Sequence, residues 1–96
     1  MVASFHDLAK VELNEAMPYY EAESPGLGAA FLAEVERSTA AITENPEAGL
    51  VVGGSVRRRI LRRFPYGLLY RIRADRIRIL AIMNLRRRPA YWVGRK

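Results

Sequence analysis

The sequence predicts an α+β fold, a helical hairpin packed on one face of a three- to four-stranded antiparallel sheet. Apolar residues recur at helical spacing up to about residue 45 and at every second position after residue 56. Turn formers cluster at the boundaries between these segments. The charge changes where the periodicity does: residues 1–56 carry a net −7, with nine acids against Lys10 and Arg37, and residues 57–96 carry a net +13, with fourteen bases against Asp75. Helices in one run followed by strands in another are the mark of a segregated α+β architecture.

Ala9, Leu13, Ala16 and Tyr20 share one face of a first helix that begins near His6 or Asp7, while Lys10, Glu12 and Glu15 lie elsewhere. Pro18 lacks the amide that would bond to the Asn14 carbonyl, so a bend is expected there. Ser24-Pro25-Gly26-Leu27-Gly28 reverses the chain. Leu27, Phe31, Leu32, Val35, Thr39 and Ile42 then mark a second helix, which Asn45-Pro46 stops because a residue before proline avoids helical backbone angles.

A loop containing Gly49, Gly53 and Gly54 leads into a strand expected over 56–63. Phe64-Pro65-Tyr66 is a turn, and residues 67–73 are a second strand with Leu68, Tyr70 and Ile72 on one face. Ala74-Asp75 connects tightly to a third strand over 76–83, where Ile77, Ile79, Ala81 and Met83 alternate with Arg76, Arg78, Leu80 and Ile82. Being apolar on both faces, this third strand is expected at the centre of the sheet. Residues 2–5 are a candidate edge strand.

Ninety-six residues, half of them apolar, suffice for one domain over 1–96 with one modest core. The absence of cysteine excludes a disulfide framework, a thiolate metal site and a thiol nucleophile. A single histidine, His6, excludes a multi-histidine metal centre, and no cofactor site is expected. The opening residues lack the pattern of a signal peptide, and the apolar runs are too short to cross a bilayer, so a cytoplasmic protein without membrane attachment is expected.

The densest chemical feature is Arg57, Arg58, Arg59, Arg62 and Arg63, joined by Arg71, Arg73, Arg76 and Arg78 on neighbouring strands. Such a cluster attracts an anionic partner, or forms a solvated face balanced by the acids of the helical half. The tail interleaves Arg86, Arg87 and Arg88 with Tyr91 and Trp92, a composition that fits RNA through guanidinium and ring stacking and fits a protein interface equally well. A plainer alternative is that Tyr91 and Trp92 fold back as a lid on the core. Acid–base catalysis is poorly supplied: His6 lies far from the basic region and is expected to cap or flank the first helix, leaving tyrosines and arginines, which stabilise charge better than they carry protons.

Glu12-Leu13, Tyr19-Tyr20-Glu21, Pro25-Gly26-Leu27-Gly28, Asn45-Pro46, Arg62-Arg63-Phe64-Pro65-Tyr66, Tyr70-Arg71, Ile79-Leu80-Ala81-Ile82 and Arg86-Arg87-Arg88-Pro89 through Tyr91-Trp92 resemble, in order and spacing, the RelE/ParE superfamily of toxins, nearest its ParE-like side. The resemblance implies the toxin of a type II toxin-antitoxin pair, neutralised in a hetero-oligomeric complex by a cognate antitoxin encoded by an adjacent gene. It further implies either of two targets. ParE-like members poison DNA gyrase, for which Arg57, Arg58, Arg59, Arg62, Arg63, Arg86, Arg87, Arg88, Tyr91 and Trp92 are the expected contacts. RelE-like members are ribosome-dependent mRNA endoribonucleases, for which Arg62, Arg86, Arg87 and Tyr91 are the catalytic candidates. Many relatives carry histidine where this chain has Asn84, and asparagine cannot shuttle a proton. A third possibility is an inactive member that retains antitoxin binding.

Overall fold

In the computed structural model, which describes residues 1–96, the first helix is α1, Asp7–Glu23, and it runs through Pro18. His6 caps it as expected, its Nδ1 accepting the Leu8 amide at 3.0 Å. The reversal into α2, Leu27–Glu44, is built on Gly26, whose φ of 87° suits glycine, and on the Glu21 carboxylate, which accepts the amides of Gly26 and Gly28 at 3.0–3.1 Å. At Gly28 the helices come so close that a Cβ would meet the Met17 carbonyl oxygen at 2.7 Å. Asn45 ends α2, and a single 3-10 turn, Pro46–Ala48, follows.

The sheet has five strands: β1 (Val2–Phe5), β2 (Leu50–Gly53), β3 (Val56–Ile60), β4 (Tyr66–Arg73) and β5 (Arg76–Asn84), in the order β1-β5-β4-β3-β2. Four expectations change. The glycine-rich loop contributes β2, an edge strand paired antiparallel with β3. The sheet is mixed, because β1 pairs with β5 in parallel, Val2 opposite Arg76 and Phe5 opposite Ile79. The middle position belongs to β4, and β5 lies between β4 and β1. The strand expected over 56–63 stops at Ile60, where Leu61 and the following loop leave the ladder.

The alternation along β5 also breaks. Tyr70 pairs with Ile79 but Leu69 with Ala81, so Leu80 is an extra residue, a β-bulge. Ile77, Ile79 and Ile82 therefore face the helices and join Phe31, Val35, Ile42, Leu68 and Tyr70 in the main core. Leu80, Ala81 and Met83 point the other way, so Ala81 and Met83 do not share the face of Ile77 and Ile79. With Val56 and Leu69 they form a second, smaller core on the opposite face of the sheet, against which Tyr91 and Trp92 pack. The lid reading of these two rings is the one the structure bears out.

Candidate functional site

Beyond Phe5, β1 no longer covers the edge of β5, and the backbone groups of Leu80 and Ile82 need other partners. Side chains supply them. Glu12 of α1 accepts the Ile82 amide at 2.9 Å, and Arg95 of the tail donates to the Leu80 carbonyl at 3.1 Å. The same Glu12 carboxylate accepts the Tyr91 hydroxyl at 2.6 Å and the Arg95 guanidinium at 3.0 and 3.2 Å. Both side chains of the Glu12–Arg95 pair are only 12% exposed. The tail is thus a strap from the end of β5 to the first helix, anchored on one carboxylate.

Between α1 and this strap lies an open cleft of about 700 Å³. Glu15, Tyr19, Tyr20 and Glu23 form its α1 wall, Pro65 and Tyr66 its floor, and Asn84, Arg86 and Arg87 the opposite wall. The basic wall is held from below. Leu85 donates its amide to the Pro65 carbonyl at 2.8 Å, Asn84 Oδ1 accepts the Arg86 amide at 2.9 Å, and the Arg87 guanidinium lies over the Tyr91 ring, 4.5 Å from its centroid. That cation–π contact orients Arg87 without neutralising it.

Three tyrosines in or beside the cleft have hydroxyl pKa values above the ordinary phenolic range. Burial is the first cause in each case. For Tyr91 the hydrogen bond to Glu12 adds to it, for Tyr20 the neighbouring Tyr66, while at Tyr66 the Asn84 side chain works in the opposite direction. At neutral pH these groups are hydrogen-bond donors and not bases. The cleft accordingly offers cations, phenolic donors and two free carboxylates, a surface suited to recognition.

The expected contact residues do not form one patch. Arg86 and Arg87 line the cleft, whereas Arg88 is exposed outside it. Arg57 sits opposite Tyr70, on the helix side, and donates to the Glu47 and Gly49 carbonyls at 2.8 and 2.9 Å. It clamps the loop that Tyr70 also holds, through a hydroxyl donating to the Pro46 carbonyl at 2.6 Å. Arg58, opposite Leu69, lies on the far face, and Arg59, opposite Leu68, faces the helix side with its Nε buried and unpartnered. Arg62 and Arg63 are exposed on the β3–β4 loop, with Arg63 over the Phe64 ring. The Arg62 amide is bound at 2.9 Å by the buried carboxylate of Glu34, which also pairs with Arg37. Tyr91 and Trp92 are half-buried, and a Cβ at Gly53 would meet the Trp92 ring at 3.6 Å.

Sequence reasoning missed Glu12, Glu34 and Arg95. For Glu12 a signal existed: Ala9, three residues before it, and Ala16, four residues after it, are both buried, so Glu12 shares their face of α1. Charge alone had assigned it elsewhere.

The family model of the ParE toxin of the type II toxin-antitoxin system parDE matches residues 3–89. A solved structure described as the chromosomal ParDE TA system from P. aeruginosa is similar in fold, with a TM-score of 0.78 at 18% identity, covering 88% of this chain and 96% of that one. No curated protein matches the sequence.

Proposed function

Since the chain belongs to the ParE toxin family of type II toxin-antitoxin systems, we propose that it inhibits growth by binding DNA gyrase, and that a cognate antitoxin encoded by an adjacent gene neutralises it in a hetero-oligomeric complex. The observation that carries the choice of target is the hydrogen bond that commits the Tyr91 hydroxyl to Glu12. An endoribonuclease needs groups that take up and release a proton near neutral pH. Here the Tyr91 hydroxyl is taken up by Glu12, while Arg62 stands on a separate loop from Arg86 and Arg87. This arrangement favours a surface that grips a protein over one that cleaves RNA.

Antitoxin neutralisation is supported by a second feature, an open apolar groove of about 450 Å³ on the helical hairpin, bordered by Phe5, Leu13, Leu32, Val35 and Ala40. Its polar borders are Glu36, Thr39 and Thr43, and it suits the apolar side of an extended or helical segment. The similar solved structure is itself described as a toxin-antitoxin system.

The deciding experiment combines purified protein with gyrase in a supercoiling assay and, in parallel, with translating ribosomes. Inhibited supercoiling with intact message is the expected result. Cleavage of ribosome-bound message with supercoiling unaffected overturns the gyrase reading in favour of the nuclease. Failure to form a complex with the product of the adjacent gene at low salt overturns the antitoxin part.

A further inference from the structure

Four arginines on the far face of the sheet are left out of the cleft. Arg71 stands directly opposite Arg78, and Arg73 directly opposite Arg76. Residues two apart on a strand point to the same side, so the four side chains form a two-by-two block at the hairpin end of β4 and β5. The pairs are about 7 Å apart along the strands and about 5 Å across them. Asn84 of the cleft lies at the other end of β5, about 26 Å away along the strand.

The partners that hold this block are what distinguish it from an ordinary solvated surface. Arg71 Nε donates to Ser55 Oγ at 3.0 Å. Arg78 donates to Ser4 Oγ at 3.1 Å and to a main-chain oxygen of Lys96 at 3.3 Å. The only acidic side chain paired with the block is Asp75, 4.0 Å from Arg76 and 92% exposed. The Ser55 hydroxyl orients Arg71 without cancelling its charge, and Arg73 and Arg76 stay exposed beside it. The acids of the helical half lie elsewhere, and Glu12, Glu21 and Glu34 are engaged by main-chain amides.

We infer that this block binds the phosphate backbone of duplex DNA, independently of base sequence. Guanidiniums repeating at the strand interval match a polyanion whose charges also repeat regularly, and bidentate N–H pairs suit phosphate oxygens. Single-stranded nucleic acid would need stacking platforms. The nearest tail rings, Tyr91 and Trp92, are committed to the second core. The surface is separate from the cleft proposed for gyrase, so it stands or falls apart from that reading.

The test is fluorescence anisotropy of short labelled duplexes of two unrelated sequences, titrated with the full chain and without gyrase. Both duplexes should bind alike, and with four phosphate contacts affinity should fall about a hundredfold between about 50 and about 200 mM salt. In the double variant Arg73→Gln/Arg76→Gln that fall should shrink to about tenfold, because two counterion-releasing contacts are gone. Equal charge removal by Arg63→Gln/Arg88→Gln should leave the salt dependence unchanged, and a melting curve shows that each variant is folded. Three outcomes overturn the inference: no duplex binding at low salt, tighter binding to single strands or to an acidic polypeptide than to duplex, or the same loss in both double variants.

Discussion

The hydroxyl of Tyr91 donates to Glu12 Oε2 at 2.6 Å, joining side chains 79 positions apart in the chain. A hydrogen bond to an ionised, largely buried carboxylate contributes about 1.5–3 kcal/mol. Tyr91→Phe should therefore lower the stability of the free protein by about that amount, measured by urea unfolding. Truncation after Leu85 should be far more damaging. Loss of the tail uncovers Val56, Leu69, Leu80 and Met83 and leaves Glu12 with the Ile82 amide alone. Greatly reduced cooperativity of unfolding is the expected outcome, and a truncated protein as stable as the full chain would contradict the strap.

Arg57 and Arg87 should behave oppositely. Arg57 bonds two carbonyls of the loop after α2, so Arg57→Ala should cost about 1–3 kcal/mol of stability and leave gyrase affinity unchanged. Arg87 lines the open cleft, and Arg87→Ala should weaken gyrase binding about tenfold or more with a nearly unchanged melting temperature. Paired melting and binding measurements on the two variants separate these roles.

Acid and alkaline limbs of the stability profile have different origins. Glu34 has a depressed carboxyl pKa, first because of the Arg37 hydrogen bond and then because of the Arg62 amide. Its contribution is present above the ordinary carboxylate value of 4.5 and is lost as pH falls through the lower folded value. Glu34→Gln should flatten that acid limb. Tyr20 and Tyr66 are shifted upward, so the folded state holds their protons more tightly and stability falls as pH rises above the ordinary tyrosine value of 10.0. Urea midpoints across the two ranges, with Tyr66→Phe reducing the alkaline loss, check both signs.

Gly28 is the close-contact point of the hairpin. An added Cβ must push α2 away from the Met17 carbonyl, and such overpacking costs about 1–3 kcal/mol. Gly28→Ala should destabilise by that order, whereas Gly53→Ala, whose Cβ would meet only the Trp92 ring at ordinary contact distance, should be mild.

The helices were legible because each has a buried and a wet side: Phe31, Val35 and Ile42 recur with the helical period, and Asn45-Pro46 supplies a local stop. β2 offered no such contrast, since all four of its residues are exposed and alternation has nothing to report. β1 is short, and its partner Arg76 lies 74 residues beyond Val2, a distance no local pattern spans. The bulge at Leu80 defeated the period-two reading of β5 by inserting one residue into it. Arg86 and Arg87 were legible from composition as part of a basic, aromatic tail, and the structure places both on the cleft wall. The structural use of Arg57 was not, because a guanidinium bonded to carbonyls looks in sequence like one awaiting an anion.

Pairing β1 with β5 and Glu12 with Tyr91 and Arg95 ties residues 2–12 to residues 76–95. Contacts of such long sequence separation slow folding, since the chain entropy of closing the loop is lost before the contact forms. During synthesis the acidic hairpin emerges well before the arginines of β3 to β5, and the cleft cannot close until residue 95 has left the ribosome. An interval therefore separates completion of the apolar groove on the hairpin from completion of the cleft wall that carries Arg86 and Arg87.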